Sequence, residues 1–268
     1  MFRSGWISSK AVGTAASALL VAVVAACDDG GPVAPTGDPA FSASAGRSGD
    51  VPPGLQDRGP LERVQFIHYR RGFAKPPWAG GGGGGGGGST CFAFIANEAA
   101  WNTAEPWEVS NGSDGVTESQ LEARVAAAIG EWEAESGANI AGGGSSGNRT
   151  VDLNSTDGFN VVQFGGISSA GAIAITNVWG FFRGPPSTRE IVEWDMILDD
   201  QDFAWSLDGA PGTMDVLNIV THEIGHAFGM GHPENSCTEE TMYAFADFEE
   251  TKKRTLNDGD IAGINELY

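Results

Sequence analysis

Three of the chain's four histidines fall within eleven residues, His222-Glu223-Ile224-Gly225-His226-Ala227-Phe228-Gly229-Met230-Gly231-His232. His222 and His226 are four apart, so on a helix they stand one turn above each other on one face. Two imidazoles so placed can hold a zinc ion at about 2.0–2.1 Å each. Glu223 sits beside the first of them, placed to take a proton from a metal-activated water without being a ligand itself. Gly229 can adopt the left-handed conformation that ends a helix and turns the chain. That turn would return His232 as third ligand and leave a fourth position open, as a catalytic zinc requires. The alternative, a core helix with incidental histidines, would bury two imidazoles and a carboxylate among Leu217, Val220, Ile224 and Phe228 with nothing to satisfy them.

The elements around the motif must present it. Thr213 is the expected N-cap of a site helix over about Met214–Gly229, with Leu217, Val220, Ile224 and Phe228 as its core face. Upstream, Thr117 and Gln120 have capping-box spacing, and Leu121, Val125, Ala128 and Trp132 recur at helical intervals, which predicts a helix over Thr117–Ser136. Asn160–Phe164, Ala172–Thr176 and Glu190–Leu198 read as strands between glycine-rich turns.

With these residues in view, the chain resembles the metzincin zinc endopeptidases, and from about Val116 to Tyr268 it is most similar to the matrixins. That resemblance implies an α+β fold: a twisted, mostly parallel sheet with an antiparallel edge strand, a long active-site helix, and a small C-terminal subdomain ending in a helix. It also implies that Thr241-Met242-Tyr243 is the family's Met-turn, with Met242 beneath the metal and Tyr243 lining the specificity pocket. The final Leu256–Tyr268 is similar to the closing helix of matrixins. Ala172–Val178 would lie near the edge strand along which such enzymes align a peptide, an addition that uses main-chain hydrogen bonds. Pro233 after the third histidine resembles the serralysin branch instead, and Ala244 stands where matrixins usually have Pro. The activity implied is hydrolysis of protein or peptide substrates at one zinc, with Glu223 as general base. A non-catalytic surface lipoprotein using the same scaffold to bind a partner is the alternative reading.

Asp195, Asp199, Asp200 and Asp202 make an oxygen-rich stretch suited to a structural Ca²⁺, with a solvated acidic turn as the plain alternative. Matrixins hold a second zinc largely through histidines. Here only His68 lies outside the motif, and Ile197 falls at an expected ligand position, so no second zinc of that kind is expected. His68 is not expected to be a ligand.

The net charge of −20 disfavours nucleic acid as a partner. From Cys91 onward there are 29 Asp and Glu against 7 Lys and Arg. Residues 1–26 read as an export signal, with Arg3 and Lys10 ahead of an apolar run too short to span a bilayer. Val24-Ala25-Ala26-Cys27 resembles a bacterial lipobox, which would make Cys27 a lipidated N-terminus and the only link to a membrane. An exported monomer, anchored or released, is the expectation. Residues 27–90 carry eight of thirteen prolines and nine consecutive glycines at Gly80–Gly88, the composition of a tether. Within them Leu61–Pro77 mixes apolar and basic residues and reads as a strand, an inhibitory pro-segment or a linker piece. The catalytic domain is placed at 91–268. Cys91 and Cys237 would pair in an oxidising exterior; the alternative, a thiolate blocking the metal, lacks the Pro-Arg-Cys-Gly motif that matrixins use.

Overall fold

The computed structural model describes residues 58–73, 91–96 and 98–268. The expected signal, the Cys27 site and the glycine run lie outside them. The described chain forms β1 (Glu62–Arg70), β2 (Ala93–Phe94), β3 (Glu105–Val109), α1 (Glu118–Ser136), β4 (Ala141–Ser146), β5 (Asn160–Gly165), β6 (Ala172–Phe181), β7 (Glu190–Asp199), β8 (Trp205–Ser206), β9 (Met214–Asp215), α2 (Val216–Ala227), β10 (Met230–Gly231), β11 (Phe245–Ala246) and α3 (Asp258–Leu267).

One seven-stranded sheet runs in the order β11-β1-β6-β7-β5-β3-β4. Strands β4, β3, β5 and β7 are parallel neighbours, and β6 is antiparallel to both β7 and β1. The sheet is therefore mostly parallel, as expected, but its antiparallel strand is interior rather than at the edge. The reason is β1, which lies in the stretch read as tether. It pairs with β6 from Glu62 to Tyr69 and covers the row of N–H and C=O groups that an edge would expose.

Both long helices lie on one face. α1 opens with the expected capping box, Thr117 Oγ1 accepting from the Gln120 amide and the Gln120 side chain accepting from the Thr117 amide. Leu121, Val125, Ala128, Ile129 and Trp132 are its buried side. α2 is buried almost all round, not along one stripe. Its neighbours close on it tightly. A Cβ on Gly225 would sit 2.3 Å from Met242 Sδ and 2.6 Å from the Trp132 ring. Strand β4, Ala-Gly-Gly-Gly-Ser-Ser, carries no strand signal of its own. It pairs with β3 at Trp107↔Gly144, where the Trp107 ring occupies the space a side chain on Gly144 would need.

Candidate metal centre

The site helix starts later than its sequence suggests. Met214 and Asp215 pair with Trp205 and Ser206 as short parallel strands, which delays helical geometry to Val216. Asp215, not Thr213, is the N-cap and accepts from the Asn218 amide at 2.9 Å. Its carboxylate also takes the Arg254 guanidinium. Thr213 instead donates to the Ala210 carbonyl and Ser206. The helix ends by Gly229, whose φ of +99° no side chain tolerates easily. Met230 and Gly231 then pair with β2, which turns the chain so that His232 comes back over α2.

The three imidazoles converge. His232 Nε2 lies 3.1 Å from His226 Nε2 and 3.2 Å from His222 Nε2. Ligands about 2.0–2.1 Å from a tetrahedral zinc would be about 3.3 Å apart, so the donor set fits that ion. The other ring nitrogens fix the orientation. His222 Nδ1 donates to the Thr241 carbonyl at 2.6 Å, and His226 Nδ1 to the Met230 carbonyl at 2.8 Å. Two rings thus aim Nε2 lone pairs at a third imidazole, which suits a cation and little else. Burial first, and then the neighbouring groups His68, Lys253, His226 and His232, hold the His222 pKa well below the ordinary histidine range, so its ring is in the neutral, ligating form.

Glu223 is fully buried. Its Oε2 accepts from Thr176 Oγ1 on β6 at 2.6 Å, and its Oε1 lies 3.1 Å from His68 Nδ1 on β1. Burial raises its pKa to about 8, against the lowering effect of Thr176 and Lys253. Met242 is fully buried against Gly225 of α2. The turn that carries it is pinned from α3, where Asp260 accepts from the Thr241 amide at 2.5 Å and the Met242 amide at 3.1 Å. One chain of hydrogen bonds therefore runs from Asp260 through the Thr241 peptide to His222.

These features invite comparison with known proteins. Residues 184–268 match the family model described as Matrixin. Rat matrilysin is 36% identical over 69 residues, covering 26% of this chain and 25% of that protein. Human matrilysin is 36% identical over 69 residues, with the same shares covered. The chain thus spans about a quarter of the length of the curated relatives it matches. The matrixin-like part holds α2, all three converging histidines, Glu223 and the Met242 turn. Strands β1 to β6, with Thr176 and His68, lie outside it.

Other expected site residues fare differently. Cys91 and Cys237 form a disulfide with Cα atoms 5.5 Å apart, so neither sulfur is a thiolate at the metal. Tyr243 lies beside the site with its carbonyl accepting from the Lys253 amine. Asp195, Asp199, Asp200 and Asp202 do not form a shared side-chain ligand group among the described residues. Among the described residues, the groups that could share a metal are His222, His226 and His232, and His68, His222 and Glu223. Asp195 instead accepts from the Val161 and Asp152 amides, and Asp199 from the Gln201 and Asp202 amides.

Sequence reasoning missed three residues. His68, not expected to be a ligand, is fully buried and stacks on His222 at 3.9 Å. Phe66, two residues earlier on the same strand face, stacks on His226 at 3.8 Å. Lys253 is fully buried with its amine 3.2 Å from His68 Nε2. The usable signal was the alternation in β1: Val64, Phe66 and His68 on one face, Gln65, Ile67 and Tyr69 on the other.

Proposed function

We propose that the chain is a zinc-dependent endopeptidase, and that the intact form holds β1 in its own substrate groove. The observation that carries the reading is the convergence of His226 and His222 Nε2 on His232 Nε2, at 3.1 and 3.2 Å, beside a buried glutamate. The match of residues 184–268 to the Matrixin model supports it. His222, His226 and His232 would hold the ion. When bound, zinc supplies a Lewis acid for a peptide carbonyl and lowers the pKa of a water from 15.7 toward about 7. Glu223 then takes the proton of the attacking water and returns it to the leaving amine. Thr176 holds Oε2, so Oε1, the oxygen now facing His68, is the one that handles the proton.

The groove is the space between β6 and β11, which β1 fills antiparallel to the first and parallel to the second. A substrate strand would take the same place through main-chain hydrogen bonds. β1 is also held by charge. Arg58 pairs with Glu190, and Arg71 lies 3.5 Å from Glu250, basic residues on an acidic domain. With the N-terminal signal reading, this describes an exported protease that acts on protein or peptide substrates once β1 moves aside.

The test uses the full chain loaded with zinc. Ile67→Asp places a charge in the apolar cluster of Ile67, Tyr69, Ile167 and Ala172, on the sheet face away from the metal. It should raise cleavage of a casein-derived peptide roughly tenfold or more over the parent. Adding Glu223→Gln should abolish that gain with zinc content unchanged. If no form cleaves any peptide while zinc is bound, the peptidase reading fails.

A further inference from the structure

Strand β1 also reveals what the pocket beside His222 accepts. His68 enters a fully enclosed space walled by the His222 ring, Glu223 and the Tyr243 carbonyl. At its floor is the amine of Lys253, from the 3₁₀ turn Lys252–Arg254. That turn holds three of the seven basic residues after Cys91. Lys253 donates to the Tyr243 carbonyl and approaches His68 Nε2 at 3.2 Å. With Glu223 accepting from Nδ1–H, the lone pair on Nε2 faces the amine, so both ends of the imidazole are satisfied. Asn218, one turn before His222, adds a second polar group. Its Oδ1 accepts from the Lys253 amide, while its buried Nδ2 has no hydrogen-bond partner among the described residues.

An apolar side chain in this pocket would remove one of the acceptors of a buried amine. Leaving such a donor short of partners costs more than the hydrophobic contact returns. A carboxylate would meet Lys253 but would bring no N–H to Glu223 Oε1 at the other end of the pocket. An imidazole or a carboxamide offers an acceptor to Lys253 and an N–H to Glu223.

Resting on the peptidase reading above, we propose that Lys253 is a specificity-determining residue, and that the pocket selects substrates bearing His, Gln or Asn at one position flanking the cut. The amine donates whether or not it carries a proton, so the selection does not depend on its charge.

Two measurements on the full chain decide it. In the Ile67→Asp background, profiling with peptide libraries randomised on both sides of the cut should favour His, Gln or Asn over Leu at one position. The expected margin is on the order of tenfold to a hundredfold in kcat/KM. Lys253→Met should reverse the order toward Leu and Met. A preference for Leu in the parent, or a profile that Lys253→Met leaves unchanged, overturns the proposal and leaves the peptidase reading standing. The second measurement needs no catalysis. His68→Leu and Lys253→Met should each lower the denaturant midpoint of the otherwise unaltered chain, and the double variant should recover most of the loss. Strictly additive losses overturn the proposal. If no library peptide is cleaved, it is the peptidase reading that fails, and this cycle still decides whether Lys253 grips the pocket side chain.

Discussion

Two buried polar clusters meet at neighbouring residues of β6, Thr176 and Asn177, and they address their surroundings in opposite ways. Within β7, Glu193 and Asp195 are almost fully buried carboxylates. Asp195 accepts from the Val161 amide at 3.1 Å and the Asp152 amide at 3.2 Å, and Glu193 from the Asp157 and Gly158 amides. These carboxylates fasten the 152–158 loop to the sheet. In the candidate metal centre His222 and His226 are buried as fully, but backbone carbonyls take only their outer nitrogens. The inner nitrogens point at one another. Burial alone therefore does not mark a functional site. A site appears where buried groups spend their hydrogen bonds on orientation and still present electron pairs to a shared point.

Breaking the convergent cluster should cost the most. Glu223→Gln, in the Ile67→Asp background, should lower peptide hydrolysis by about 10²–10⁴-fold, the usual contribution of a positioned acid–base group, while metal analysis shows one zinc per chain. Asp260→Asn weakens the hold on the Thr241 peptide that orients His222. It should lower zinc affinity roughly 10–100-fold in a competitive chelator titration, and restoring zinc should restore activity. Removing zinc with a chelator should lower the melting temperature, and the shift should grow with the zinc concentration of the reference sample.

Packing beneath the site comes next. Gly225→Ala inserts a methyl where Met242 Sδ and the Trp132 ring leave no room. It should destabilise the fold by about 1–3 kcal/mol in urea denaturation. The smallest effect belongs to the other cluster. Burial, then Glu193 and Asp157, raises the Asp195 pKa to about 8. The folded state thus binds more protons than the unfolded state between the ordinary aspartate value of 3.8 and about 8, and this group's contribution makes stability fall as pH rises through that window. Asp195→Asn should flatten that fall and leave zinc content unchanged. A loss of zinc in this variant would erase the distinction between the two clusters.

The parts legible in the sequence share one property: their signals are local. The His222–His232 spacing, the Thr117 capping box and the three hydrophobic strands each depend on residues within one element or turn. The N-cap of α2 was misplaced by two residues because Met214 and Asp215 pair with Trp205 and Ser206, a contact no local pattern announces. β4 was unread because its glycines make room for Trp107 on another strand.

By itself, then, the amino-acid order determined the convergence of the imidazoles, since an i, i+4 pair and a glycine-terminated turn dictate where three rings can meet. Only the tertiary structure decided that β1 lies between β6 and β11. His68 lies 155 residues from Glu223, and Lys253 lies 185 from His68. Their meeting depends on strand pairing across the sheet, which main-chain hydrogen bonds drive without regard to side-chain identity.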